Sequence, residues 1–339
     1  MKLLLTIKPV MYHQSTASYA VLAEVDWAQQ RVLRQLRLPA ASYRCDEAFM
    51  APLIGGVCHW GNRLFIAMWN YIVEVDYHTF QIVNSFSTPQ MADLHGITTD
   101  GQTLWVAAAA TEMVLGFDLK SLKPVWQWGP DAAILGSHPH LRIPPAWNQG
   151  WKARFLYHLN NKTPQALLPG EHRHQHKSRS ASYHHHLNDV TYHQGKLYVT
   201  TSNWYNTNNP GAVIEVDPTT SQTRFMAQPG SFDGTHDTLF VDDRLYVTES
   251  RRNGIAWIEA DGEIHRQKVE PSPYFVRALH WTGEHFLTGF TRLRHTQDPA
   301  LLIAFDQNWQ PITHMELSGF HPEVVGSAIH AMAPSPELN

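Results

Sequence analysis

Cysteine is nearly absent: Cys45 and Cys58 are the only two in 339 residues. Two thiols cannot build a disulfide-stapled scaffold or a cysteine zinc centre. Long apolar runs are missing as well, and none reaches the ~18 residues of a membrane-spanning helix. Met1-Lys-Leu-Leu-Leu-Thr-Ile-Lys8 begins like a secretory leader, but its apolar stretch is short and ends at a lysine, so a soluble, cytoplasmic chain is expected. No charge of one sign dominates either. A net charge of −4, with histidine neutral, gives no electrostatic case for nucleic acid.

Aromatic residues and histidine are plentiful. Twelve Trp, twelve Tyr and fourteen Phe suit the pleated, half-buried surfaces of a sheet protein. Twenty-two histidines hold little charge at neutral pH and are expected to make the chain cationic near pH 6.

A repeat organises the rest. An apolar strand ending in Asp recurs six times, at Ala23–Asp26, Val73–Asp76, Leu115–Asp118, Ile214–Asp217, Ile258–Asp261 and Ile303–Asp306. The aspartates are 50, 42, 99, 44 and 45 residues apart. Four of these spacings match a propeller blade of ~40–50 residues. Each Asp is placed to start a tight turn by accepting from backbone amides just downstream. Two further strands precede five of the six signatures, joined by a Gly- or Asp-containing turn: Gly56–Ile66, Gly96–Val106, Asp189–Val199, Asp237–Val247 and Ala278–Thr288. The remaining blade is split, with Lys2–Ile7 as its second strand and Gly326–Met332 as its first. The expectation is an all-β, six-bladed β-propeller formed by residues 1–339 as one domain and closed by its own two ends. The spacing of 99 holds one blade and an insertion over 129–183 between the third and fourth blades. Prolines interrupt that insertion, which also holds Trp147, Trp151, Lys152, Arg154 and the run Glu171–Arg179. Its length points to function, as a cover over one face or as a surface for a protein partner.

First strands line the axis of a propeller. Counting along them places Gly55, His95, Asn188, His236, Arg277 and Ser327 at one level. Polar side chains gathered at one level are hard to explain by packing, because burying them without partners is costly. Loops on the same face carry Trp204, Tyr205 and His186, the candidate ligand contacts. Alternate side chains of an extended segment share a side, so His184 and His186 can act together on a metal ion; the other readings are surface histidines or contacts to the insertion.

The strand at His186-Leu-Asn188-Asp189-Val, followed by Gly195-Lys-Leu-Tyr-Val-Thr-Thr201, resembles the Asn-Asp strand of the calcium-dependent six-bladed propellers of the gluconolactonase and paraoxonase superfamily. That resemblance implies a propeller whose central Ca²⁺ is held in part by Asn188 and polarises a lactone or ester. The next two ligand places of that superfamily, an Asn and an Asp, read His236 and Arg277 here, and a guanidinium repels a hard cation that seeks oxygen ligands. The run Asn206–Asp217 also resembles uncharacterised bacterial propellers.

The residues themselves describe a different chemistry. Arg277 can hold a carboxylate or phosphate with its fork. His95 and His236 can act as acid and base, or can join Asn188 around a divalent metal ion. Asn188 can donate to an oxyanion. Two functions follow: a hydrolase or lyase acting on a small anionic or carbonyl substrate in the channel, or a non-catalytic propeller that binds a ligand or protein.

Overall fold

The computed structural model describes residues 1–9, 19–39, 54–88, 90–109, 111–130, 185–202, 211–269, 274–292, 299–317 and 327–336. The insertion expected over 129–183, apart from Gly129 and Pro130, and the loop with Trp204 and Tyr205 lie outside the described residues. None of the described helices is long and apolar enough to cross a membrane.

The described residues form strands and one short 3-10 turn, Ser250–Arg252. The chain opens with β1 (Lys2–Pro9), β2 (Tyr19–Asp26) and β3 (Arg31–Pro39). Five units of four strands follow: β4 (Ile54–Trp60), β5 (Arg63–Met68), β6 (Ile72–Asp76) and β7 (Gln81–Phe86); β8 (Leu94–Thr99), β9 (Thr103–Ala108), β10 (Met113–Asp118) and β11 (Pro124–Trp128); β12 (Leu187–His193), β13 (Lys196–Thr201), β14 (Gly211–Val216) and β15 (Thr223–Phe232); β16 (Thr235–Val241), β17 (Arg244–Glu249), β18 (Gly254–Ile258) and β19 (Ile264–Lys268); and β20 (Tyr274–Trp281), β21 (Phe286–Arg292), β22 (Ala300–Phe305) and β23 (Pro311–Leu317). Strand β24 (Ser327–Pro334) ends the series and pairs antiparallel with β1, in the order β24-β1-β2-β3. Six four-stranded sheets result, with the split blade at the predicted place.

Each blade is held by its own turns and by its neighbour. All six repeat aspartates cap their turns as the sequence predicts: Gln29 donates to Asp26 (3.2 Å), Thr79 to Asp76 (2.8 Å), Ser121 to Asp118 (2.7 Å), Thr219 to Asp217 (2.7 Å), Glu263 to Asp261 (2.9 Å) and Asn308 to Asp306 (2.8 Å). The apolar core lies between blades. Leu3, Leu5 and Ile7 of the closing blade pack on Ala278, Leu287 and Leu302 of the last, and the other blade junctions repeat this arrangement. Burial between sheets drives the ring to close, because an open end would leave one such face wet.

Candidate functional site

The inner strands β4, β8, β12, β16, β20 and β24 ring the axis, each packed on the next. Each of them carries a bulge, two residues facing one on its partner strand, at an equivalent place. The pairs are Gly55–Gly56 against Ala67, His95–Gly96 against Ala107, Asn188–Asp189 against Thr200, His236–Asp237 against Thr248, Arg277–Ala278 against Gly289 and His330–Ala331 against Thr6. A bulge re-aims side chains out of the ladder. Here it gathers His95, Asn188, His236, Arg277 and His330 at one level. The equivalent of Ser327 is therefore His330: Ser327 pairs with Pro9, before the bulge.

Gly55 keeps its place in that ring empty. A Cβ there would lie 2.5 Å from the His95 carbonyl oxygen and 2.7 Å from that of Leu94. With no side chain between them, His95 and His330 approach to 5.6 Å between ring centroids. His186 stacks edge-on against His95 at 5.0 Å. It stands just before β12 in a left-handed conformation, φ 51°. The fully buried Glu112 holds that corner, accepting from the amides of His185 and His186 at 3.2 Å and lying 3.1 Å from His185 Nδ1. Asp93, also left-handed at φ 53°, sets its Oδ1 3.4 Å from His95 Nε2.

Arg277 sits between two imidazoles. Its Nη2 donates to His236 Nε2 at 2.7 Å and its Nη1 to His330 Nδ1 at 2.9 Å. The protons can be assigned. Ser250 Oγ donates to the Val276 carbonyl, so toward His236 Nδ1, 2.8 Å away, it must accept. Nδ1 therefore carries the hydrogen, shared with the Gly234 carbonyl at 3.0 Å, and Nε2 presents its lone pair to Arg277. By the same reasoning His330 accepts at Nδ1 and keeps its hydrogen on Nε2. Both rings are neutral. Burial, and next the Arg277 charge, press His236 and His330 well below the ordinary histidine value, while burial followed by the His95 charge brings His186 down to about 3. His280, farther along the channel, is lowered to about 4 by burial. These four histidines resist the protonation expected near pH 6.

A cavity of about 310 Å³ is lined by all six inner strands, with His95, Asn188, His236, His330, Asp189 and Asp237 in its wall. The two aspartates clasp neighbouring blades. Asp189 Oδ2 accepts from the Thr238 amide (2.9 Å) and hydroxyl (2.6 Å), and Asp237 Oδ2 accepts from the Leu279 amide (2.8 Å). Burial pushes both carboxyls up, and Asp189 pushes Asp237 further.

Both His236 nitrogens are engaged, and Asn188 Nδ2 donates to the Thr235 carbonyl while its Oδ1 is buried without a hydrogen-bond partner. Among the described residues, no three His, Cys, Asp or Glu side chains converge to hold an ion. The sequence reading passed over His330, Asp93, Glu112 and Ser250. A signal for His330 exists: five of the six bulges read Ile/Leu/Val–X–Gly/Asp/Ala–apolar, and Ile329-His330-Ala331-Met332 fits that pattern where Gly326-Ser327-Ala328 does not.

No family model matches the chain, and no curated protein matches it. Solved structures do. A protein of unknown function from Bacteroides caccae aligns with a TM-score of 0.59 at 10% identity, over 97% of this chain and 98% of that one. A chain of a nidogen/laminin complex aligns with a TM-score of 0.58 at 10% identity, over 98% of both. A catalytically inactive virginiamycin B lyase from Staphylococcus aureus, with quinupristin, aligns at 0.49 and 12% identity, over 82% of this chain and 73% of that one. The likeness is one of fold, the six-bladed propeller, and it includes an uncharacterised bacterial propeller as the sequence suggested.

Proposed function

We propose that the bulge ring binds a small anionic substrate and that the chain acts on it as a hydrolase or lyase. The observation that carries this reading is the Arg277 guanidinium held between two neutral imidazoles, His236 and His330. A guanidinium is a preferred partner for carboxylate and phosphate because its fork matches their oxygens. Its charge also depresses the proton affinity of His186, His236, His330 and Lys8, so the local potential is positive and an incoming anion relieves it. In this reading Arg277 orients the anion, and His330 Nε2–H and the Asn188 amide lie at the same level as further polar groups for it. His95 lies with its Nε2 3.4 Å from Asp93 Oδ1, a proximity of imidazole and carboxylate that suits acid–base work on a bound substrate.

The test is titration calorimetry with inorganic phosphate and with oxalate on the full chain, in two buffers of different ionisation enthalpy. Binding is expected with net proton uptake, since the anion raises the histidine pKa values. Arg277→Met should weaken binding by at least about tenfold with little change in denaturant midpoint. Binding that ignores Arg277→Met would remove the reading.

The alternative is a propeller that binds protein without catalysis, a use that the nidogen/laminin chain of similar fold makes reasonable. It would leave the channel indifferent to both anions.

A further inference from the structure

The cavity runs on from the bulge ring along the inner strands. The second residue of each bulge stands just past the ring: Gly56, Gly96, Ala278 and Ala331 on four blades, Asp189 and Asp237 on two adjacent ones. Around the ring Ala331 is opposite Asp189 and Gly56 is opposite Asp237. Small residues therefore leave the hollow, and both carboxyls stand on one side of it. Strand alternation sends the residues two places on the same way, and Thr191, Leu239 and His280 among them line the space. At about 310 Å³ it reaches the size of small-molecule sites, ~300–1,000 Å³.

The wall on the aspartate side offers acceptors that lack donors. Asp237 Oδ2 accepts from the Leu279 amide at 2.8 Å, and among the described residues no side chain donates to either of its oxygens. Asn188, in the same wall, is 2% exposed. Its Nδ2 is spent on the Thr235 carbonyl, and its Oδ1 is buried with no hydrogen-bond partner. Neither a lysine nor an arginine lines the cavity among the described residues. Three of its histidines, His236, His280 and His330, are pressed toward the neutral form by burial. Two carboxyls are thus buried against the space without a cation, which is costly until a positively charged donor arrives.

We propose that this chamber is a second binding site, for the primary ammonium group of a small alkyl amine, which donates to the Asp237 carboxylate and to Asn188 Oδ1. An ammonium carries one positive charge, three donors and no acceptor. That is the complement of a wall with free acceptors, two carboxyls and no cation. Asp189 supplies charge more than contact, because the Thr238 amide and hydroxyl hold its Oδ2 and its Oδ1 abuts Gly96. A metal ion is the poorer fit: among the described residues no three His, Cys, Asp or Glu side chains converge on one point. Leu239 and the methyl groups of Ala331 and Ala333 suit the short alkyl body. Arg277 does not line the chamber, so this site stands apart from the anion reading.

The test is saturation-transfer NMR on the full chain, at constant ionic strength in sodium chloride, with propylammonium, 1-propanol and tetramethylammonium as probes. Propylammonium is expected to bind saturably. Propanol lacks the charge and tetramethylammonium lacks N–H donors, so both should bind at least about tenfold more weakly. Asp237→Asn keeps an oxygen for the Leu279 amide and removes the charge. It should weaken propylammonium by at least about tenfold at an unchanged denaturant midpoint. Ala331→Leu, which fills the chamber from the blade opposite Asp189, should abolish binding. The three probes on the wild-type chain decide the chemistry even if a variant fails to fold. Absent propylammonium binding, equal binding of propanol or tetramethylammonium, or displacement by calcium chloride would overturn the ammonium site. An affinity that ignores both Asp237→Asn and Ala331→Leu would put the amine elsewhere and overturn it as well.

Discussion

Gly96 and Asp189 occupy neighbouring bulges, and each limits the other. A Cβ on Gly96 would lie 1.9 Å from Asp189 Oδ1, and 2.7 Å from the Asp189 Cα and the Val190 nitrogen. The carboxylate cannot swing away cheaply, since Thr238 holds its other oxygen with amide and hydroxyl. The backbone atoms cannot move without shifting β12. Gly96→Ala is therefore expected to destabilise the chain by about 1–3 kcal/mol, the usual range for overpacking, toward its upper end. Denaturant midpoints check this. Removing the carboxylate in Gly96→Ala/Asp189→Ala should relieve only part of the cost, because the backbone contacts remain. A wild-type midpoint in Gly96→Ala would mean that the blades separate easily here. Asp189 was legible in the sequence as half of an Asn-Asp pair, but its partner was not. Nothing in a single sequence shows that a glycine about ninety residues upstream must be small to admit it.

At the scale of elements, the three inner strands of each blade and their turns were legible, while the outer strands β3, β7, β11, β15, β19 and β23 were not located in the sequence. The six aspartates announce their turns because an Asp cap acts within four residues, a range that sequence spacing can show. The bulges were not, because an extra residue breaks the alternation of two on which strand counting depends. That is why the count from Gly326 fell on Ser327 and missed His330. Asp93 and Ser250 escaped for another reason: they stand outside the inner strands, and only the closed ring brings them beside His95 and His236. The closing blade offers a test of the bulge as a built element. Thr6 Oγ1 donates to the Gly55 carbonyl at 2.8 Å and accepts from the Ala331 amide at 3.0 Å, tying β24, β1 and β4 together; Thr248 plays the accepting part for His236 and Asp237. Thr6→Val keeps the shape but leaves a buried carbonyl and an amide without that hydroxyl. A loss of about 1–3 kcal/mol is expected in the unfolding free energy. No loss would show that the terminal strand is held by packing alone.

For the molecule as a whole, the histidine content was legible but its consequence was not, since burial decides which imidazoles titrate. His186 at about 3, His280 at about 4, and His236 and His330 well below the ordinary value of 6.5 are all depressed in the folded state. Below pH 6.5 the unfolded chain takes up these protons and the folded chain does not. Stability from the four histidines is thus complete above about pH 6.5 and is lost as pH falls. Lys8, lowered from 10.5 to about 7, acts in the same sense at higher pH. Asp189 and Asp237 act oppositely: their raised pKa values let the folded chain hold protons that the unfolded chain has released, which adds stability as pH falls toward 3.8. His59 is lowered and Glu249 raised by burial as well, so the depressed histidines outnumber the raised carboxyls and the net effect is a loss of stability as pH falls below about 6.5. Thermal unfolding followed from about pH 8 to about pH 5 should show a falling midpoint that begins near pH 6.5, well above the range where solvated carboxylates titrate. An anion in the bulge ring restores the proton affinity of His186, His236 and His330, so stabilisation by phosphate should grow as pH falls over the same range. A midpoint that is flat or rising toward pH 5 would show that these imidazoles are solvated and titrate normally, and a neutral-imidazole clamp on Arg277 could not then be the state that meets the ligand.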